Sequence, residues 1–302
     1  MNLTIKKIES LKSSIANVIK NSLLWKVDEI KFIGNGVNNA VFLIEEKDLG
    51  MLAIRTPWRV EETSNDIDLS GITSLKKEAA ISEHCHRHDI PVPRVHKLYL
   101  SEEISFLVTD YLRGDAHELS SYDVGKLTSN IHRVSLDGLS IIDQKERTLC
   151  NIISNRITER VHMLGKLNEN IIIPTTDEME AVLNTAPIKN SLLHLDVRPP
   201  NLIGAEGIIK GVIDWDNAFI GHPIMELMRI LETKEFNEEE FLRGYDNADI
   251  LLHTDEIVQS IYRLDTALML SVVFTSLVND PAKRDYYLMR VRLLSQKIKN
   301  NV

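Results

Sequence analysis

Cysteine is almost missing from this 302-residue chain, in which Cys85 and Cys150 are the only two. Two thiols cannot build a disulfide framework, which excludes small secreted scaffolds and favours a reducing compartment. Glycine (13) and proline (9) together make up about 7% of the residues, where about 12% is usual. That scarcity excludes collagen-like, low-complexity and linker-rich chains. Positive charge is in deficit, with 35 Lys and Arg against 44 Asp and Glu and a formal net charge of −9. A duplex-DNA binder needs a basic face to displace counterions, so no nucleic-acid partner is expected. Long apolar runs are lacking too. The longest uncharged one, Thr266 to Asn279, has 14 residues, short of the roughly 20 that span a bilayer. Lys6, Lys7, Glu9 and Lys12 interrupt the N-terminal stretch where a signal peptide would be apolar. A cytoplasmic protein without a membrane partner is expected. Neither a Walker A loop (G-x-x-x-x-G-K-[ST]) nor a G-x-S-x-G nucleophile elbow occurs.

What is present is ordinary globular composition, 43% hydrophobic and 26% charged, on a chain long enough for roughly two domains. Leu3, Ile8, Leu11, Ile15, Val18 and Ile19 recur at helical spacing over 3–24. Residues 30–45 form two β-prone runs broken by Gly34-Asn35-Gly36 and Asn38-Asn39, a strand–turn–strand pattern, and 51–56 reads as a third strand. A helix over 70–88, with Ser74 as its cap, is stopped by Ile90-Pro91-Val92-Pro93. Strands follow at 95–100 and 104–112. Beyond Gly114 the pattern is helical (120–136, 148–165, 176–184, 222–232, 237–244, 255–279 and 281–299), except for strand-like runs at 192–195, 201–203 and 211–213. The asymmetry predicts two lobes, 1–110 and 111–302, joined by a hinge at 109–114.

The strongest signal is His194-Leu195-Asp196-Val197-Arg198-Pro199-Pro200-Asn201, an H-x-D-x-x-x-x-N pattern, followed by Ile213-Asp214-Trp215-Asp216. Phosphoryl transfer needs few protein groups. One carboxylate orients the attacking hydroxyl and takes its proton, while an oxygen ligand and a second carboxylate hold Mg2+, a hard cation. Asp196, Asn201 and Asp214 supply that set; the bland alternative is that they are ordinary turn residues.

With these motifs the chain resembles the aminoglycoside phosphotransferase and choline kinase-like family, small-molecule kinases of protein-kinase-like fold. The resemblance runs from about Ile33 to about Met228. It includes the glycine loop Gly36-Val37-Asn38-Asn39-Ala40-Val41-Phe42, Lys77-Glu78-Ala79-Ala80 before Ile90-Pro91-Val92-Pro93, Phe106 to Gly114 as hinge, and Gly221-His222-Pro223 with Glu226-Leu227. The fold it implies is α+β and bilobal, with a small antiparallel-sheet N-lobe that binds nucleotide and a larger, mainly helical C-lobe with the catalytic loop and acceptor site.

The resemblance also implies roles. ATP or GTP would have its phosphates under Gly34, Gly36 and Asn39 and its base near the Thr109, Tyr111 and Leu112 backbone. Arg55, paired with Glu78, would contact the phosphates where the commoner pattern has Lys; the alternatives are Arg59 in that role or Arg55 as an ordinary surface residue. Asn201 and Asp214 would hold Mg2+, and Asp196 would be the base. Arg198 either neutralises charge on the transferring group or pairs with a nearby acid. His194 reads as a loop support, Trp215 as packing, and Asp216 as a further metal or substrate contact or a plain loop acid.

The function expected is a small-molecule O-phosphotransferase acting on a hydroxyl of an aminoglycoside-like or amino-sugar metabolite. The alternatives are a pseudokinase-type regulator without turnover, or a kinase of choline, an amino acid or another sugar. The acids between Glu232 and Glu256 read as a solvated helix face or as a wall for a cationic acceptor. Glu83-His84-Cys85-His86-Arg87-His88 reads as helix-end histidines, since no distant Cys/His pair completes a zinc site.

Overall fold

The computed structural model describes residues 3–36, 38–58, 71–141, 148–166, 171–186, 189–278 and 280–301. Val37 of the glycine loop and Arg59 lie outside the described residues. The chain clusters into two compact units. One takes Met1–Leu119, Asp137–Asp143 and Pro199–Asp216; the other takes Ser120–Leu136, Gln144–Arg198 and Asn217–Val302. The expected boundary at 110 therefore differs from the packing, because 111–119 and 199–216 belong with the sheet. Asp115 shows why: its backbone N–H donates to the Gly204 carbonyl, and its carboxylate accepts from the Glu206 N–H at 2.8 Å. The amides of Glu206 and His117 hold that carboxyl down at about 2.

The first unit begins with helix α1 (Ile5–Val18), whose Thr4 cap accepts from the Lys7 N–H at 3.3 Å. Its stripe of Leu11, Ile15 and Val18 packs on a five-stranded antiparallel sheet. The strands are β1 (Val27–Asn35), β2 (Asn39–Glu46), β3 (Gly50–Pro57), β4 (Val95–Tyr99) and β5 (Phe106–Asp110), in spatial order β1-β2-β3-β5-β4. Period-two alternation buries Ala40, Phe42 and Ile44 of β2 and Leu52 and Ile54 of β3 on the α1 face. β5 opens on three apolar residues, Phe106-Leu107-Val108, because both its faces are covered there. Phe106 and Val108 join the α1 core, while Leu107 meets Leu75 and Ala79 of helix α2 (Gly71–Arg87). Ser74 does not cap this helix but lies within it, because its hydroxyl serves Asp216.

In the second unit, helices α3 (Ser121–Arg133), α4 (Leu149–Gly165) and α5 (Thr176–Leu183) precede strand β6 (Ser191–Leu193). The first unit's ribbon β7 (Leu202–Ala205) and β8 (Ile208–Val212) follows. Strand β9 (Phe219–Gly221) then pairs antiparallel with β6. Helices α6 (Pro223–Thr233), α7 (Glu238–Gly244), α8 (Ile250–His253), α9 (Glu256–Val272) and α10 (Pro281–Lys299) complete the unit.

α9 and its continuation form a helix, Glu256–Leu277, that is apolar and long enough to cross a membrane by length and composition. It is longer than the uncharged run because Arg263 and Asp265 fall within it. Most of it is buried, as the central helix against α4, α6 and α10. Asp265 takes ion pairs from Arg156 and Arg160 of α4, at 2.9 Å from Arg156 Nε and 2.6 Å from Arg160 Nη1. Burial lowers Arg160 to about 10 even so.

Candidate active site

The sheet unit gathers one ionic cluster. Arg55 points from β3, and Glu78 from α2 lies 3.2 Å from Arg55 Nη1. Arg55 Nη2 reaches Asp214 at 2.9 Å and Asp216 at 2.8 Å. With its amide oxygen turned to the guanidinium, Asn39 accepts from Arg55 Nε at 3.1 Å. Ser74 Oγ donates to Asp216 Oδ1 at 2.5 Å, and Lys77 Nζ donates to the Asp216 carbonyl at 2.8 Å. Glu78 also accepts the backbone N–H groups of Asp214 (3.3 Å) and Trp215 (2.6 Å). Burial, with Asp216 and Asp214 nearby, pushes the Glu78 carboxyl up to about 7 against the pull of Arg55. The same three acids raise the affinity of Arg55 for its proton above the usual guanidinium value, although burial alone would lower it.

The ribbon explains how Asn201 and Asp214 meet. β7 and β8 pair from Leu202↔Val212 to Ala205↔Ile208, and the Ile213 N–H donates to the Asn201 carbonyl at 3.0 Å. Both residues thus flank the same end of the ribbon. Asp214 sits at φ +69, a left-handed backbone that Asp tolerates better than most residues, and its side chain is 38% exposed. The carboxylate oxygens of Glu78, Asp214 and Asp216 lie within 4.8 Å of one another. Their donors are all oxygen, which fits Mg2+. His84 and His88 do lie side by side, with ring centroids 4.7 Å apart and planes tilted by 47°. Among the described residues that histidine pair joins no three-ligand group.

The sheet unit also places the expected nucleotide contacts. Gly34 pairs with Val41 at the end of β1, and the Gly36 N–H donates to the Asn39 carbonyl at 2.9 Å, closing the turn. Where a Cβ would project from Gly34 or Gly36 there is open space. Thr109 pairs across to Ala53, and the Tyr111 N–H donates to the Met51 carbonyl at 3.0 Å. Leu112 covers Gly211 of β8.

Asp196 and Arg198 belong to the helical unit. Arg198 Nε donates to Asp196 Oδ2 at 3.2 Å, so the cation does pair with a nearby acid, and Asp196 remains 20% exposed. Just before it, Leu195 holds φ +59, an uncommon state for a bulky residue that must be held from outside. Glu226 of α6 does the holding. Its fully buried carboxylate accepts from the His194 N–H at 3.0 Å and the Leu195 N–H at 2.6 Å. His132 of α3 stands 2.8 Å from Glu226 Oε2 on one side and 2.7 Å from the Tyr245 hydroxyl on the other. Burial alone would raise Glu226, but the His132 ring, His194 and its amide bond hold it below the ordinary carboxylate range. His194 Nδ1 accepts the Asp196 N–H at 3.2 Å, in keeping with a loop support.

Sequence reasoning missed His132, Tyr245, Lys77 and the use made of Ser74 and Glu226. Only Lys77 and Glu226 fell inside a recognised motif. The acids from 232 onward do not act together. Glu232 is buried and paired with Arg263 at 3.1 Å and Arg290 at 2.6 Å, so it is neither solvated face nor open wall. Asp246 pairs with Arg133 at 2.6 Å, while Glu238–Glu240 form the exposed first turn of α7. Burial raises the Glu235 carboxyl above the usual range, and Glu235 feels the charges of Arg198, Asp196 and Lys283.

The whole chain resembles several solved enzymes in fold. It matches a putative fructosamine-3-kinase from Haemophilus somnus 129PT with TM-score 0.67 at 17% identity, covering 97% of this chain and 99% of that one. A thermostable mutant of aminoglycoside phosphotransferase APH(4)-Ia, solved with AMP-PNP and hygromycin B, matches with TM-score 0.65 at 16% identity, covering 95% and 98%. The macrolide 2'-phosphotransferase MphH from Brachybacterium faecium matches with TM-score 0.58 at 15% identity, covering 94% and 98%. No curated protein matches in sequence. The sequence profile described as the phosphotransferase enzyme family matches residues 29–256, which hold the sheet, the ionic cluster and the Asp196 loop, and the chain belongs to that family of kinase-like phosphotransferases.

Proposed function

We propose that the protein transfers the γ-phosphoryl group of a nucleoside triphosphate to a hydroxyl of a small amine-bearing metabolite of the amino-sugar or aminoglycoside kind. The observation that carries this reading is the Asp196 loop: the carboxylate keeps one-fifth of its surface open while the two preceding amides are fixed by a buried acid. Asp196 accepts the hydroxyl proton as the oxygen attacks phosphorus, and the nucleoside diphosphate leaves. Arg198, beside it, offers charge to the group in transfer. Arg55 offers the phosphates a two-pronged cation, and Gly34, Gly36 and Asn39 bring the β1–β2 turn near them. The base would lie along the backbone of Thr109, Tyr111 and Leu112. Mg2+, bound by Asp214 and Asn201 with Asp216 in reach, would neutralise charge on the phosphates.

Glu235 supports an amine on the acceptor, being an acid whose carboxyl feels the charge of Asp196. The fructosamine kinase and aminoglycoside phosphotransferases similar in fold act on amine-bearing sugars by their names. A cytoplasmic setting suits the two buried, unpaired cysteines.

Incubating the protein with Mg2+, ATP or GTP and a panel of hydroxylated amines, and weighing the products by mass spectrometry, tests the reading. One phosphoryl group should appear on a panel member, and Asp196→Asn should abolish it while nucleotide affinity stays. Equal turnover by the Asn variant would remove Asp196 as the base.

A further inference from the structure

The helical unit contains a chain of hydrogen bonds that continues beyond Glu226 into residues no step above uses. Tyr245 Oη meets His132 Nδ1 at 2.7 Å, His132 Nε2 meets Glu226 Oε2 at 2.8 Å, and Glu226 binds the amides of His194 and Leu195. His132 and Glu226 are 6% and 0% exposed, and Tyr245 is 3% exposed. With Glu226 held as the carboxylate, Nε2 donates its N–H to it, and Nδ1 accepts from the phenol in the neutral ring or donates to it in the doubly protonated one. Either way Nε2 donates to Glu226.

The geometry points to His132 as a positioning residue for the Asp196 loop, with Tyr245 fixing its ring, and this rests on Asp196 being the base. Leu195, with its left-handed backbone (φ +59), turns the chain between the buried strand β6 and the partly exposed Asp196. Such a conformation persists only where neighbours over-determine it. Glu226 supplies two bonds to this turn, but a carboxylate on a helix can rotate. The His132 donor removes that freedom by engaging Oε2, the oxygen that also takes the His194 amide. Tyr245 in turn keeps the imidazole from turning about its own bond.

The helices carrying the brace are locked against each other. A Cβ on Gly125 of α3 would stand 2.0 Å from the Phe241 carbonyl oxygen, and one on Gly244 of α7 would stand 2.0 Å from that of Tyr122. Only with glycine at both places do α3 and α7 come close enough for the Tyr245 phenol to reach His132.

The test combines amide exchange with kinetics on the full chain. In His132→Leu, the His194 and Leu195 amides should exchange at least about tenfold faster, since a bond to a buried charge is lost. Turnover of Mg-nucleotide, to water or to a panel acceptor, should fall by about tenfold or more with KM for nucleotide unchanged. His132→Gln places an amide donor where Nε2 was and should recover both readouts to within about threefold. Tyr245→Phe should give an intermediate loss, and it decides the matter if the Leu variant does not fold. Wild-type exchange at both amides in the Leu or Phe variant would overturn the proposal, as would a Gln variant no better than Leu. If the wild type transfers no phosphoryl group, the kinase reading fails while the exchange and its Gln rescue still decide the brace.

Discussion

Arg55 is the residue on which the sheet unit's charges converge, within 3.2 Å of Glu78 and within 2.9 Å of both Asp214 and Asp216. Three carboxylates around one guanidinium leave excess negative charge, which a metal ion or a bound phosphate's own metal can share. Removing the guanidinium would leave three close acids without their central cation. Arg55→Met should therefore lower unfolding free energy by about 3–5 kcal/mol in a denaturant titration, the range for breaking a buried ion pair from one side. An unchanged midpoint would mean that Ser74 and Lys77 suffice to hold the acids. Arg55→Lys keeps the charge but offers a point where the guanidinium offers a fork. It should fold like the wild type and raise KM for nucleotide about tenfold. The Arg55–Glu78 pair was legible from motif order alone. Asp216 was legible as a candidate contact, but its bond to Ser74 was not, because it joins positions 142 apart that carry no shared pattern.

At the scale of elements, long amphipathic helices and alternating strands were readable because burial imposes a period on them. α1, α2, α3 and α10 and strands β1–β3 sit within a few residues of expectation. β9 and α8, three and four residues long, carry too few positions to show any period. The brace escaped notice for another reason: His132 precedes Glu226 by 94 residues and Tyr245 by 113, and neither helix face announces a polar partner. The glycine contacts between α3 and α7 give this pair its own test. Gly244→Ala must push one backbone off another, since the obstruction is a carbonyl oxygen and not a flexible side chain. A loss of about 2–4 kcal/mol is expected in a urea titration, on the scale of forced overpacking with lost contacts. Gly165, with open space around its missing Cβ, is the matched control, and Gly165→Ala should change stability by less than about 1 kcal/mol. Equal effects of the two substitutions would mean that α3 and α7 can part at no cost.

For the molecule as a whole, one buried ring makes a separable contribution to the response to acid. His222, the residue before α6, is 1% exposed, and its Nδ1 has no hydrogen-bond partner among the described residues. Its ring lies 6.1 Å from that of Tyr262, whose hydroxyl likewise finds no partner among them. Burial, with the charge of His132 adding to it, lowers the imidazole from 6.5 to about 4. As pH falls, the unfolded chain therefore takes up this proton before the folded one does. The stabilisation is complete above 6.5 and drains away as pH falls through that window toward 4, by up to about 3 kcal/mol. Glu226 and Asp265, whose carboxyls are held low, add their losses only below their ordinary values of 4.5 and 3.8. The interval from pH 6.5 down to about 4.5 thus separates His222 from these two acids, while Glu78, raised to about 7, acts in the opposite direction there in wild type and variant alike. His222→Asn removes the titration and keeps a residue suited to the helix start. Urea unfolding across this interval should show the wild type losing stability more steeply than the Asn variant. Parallel curves would place the ring in contact with water in the folded state and remove His222 as the source of acid sensitivity.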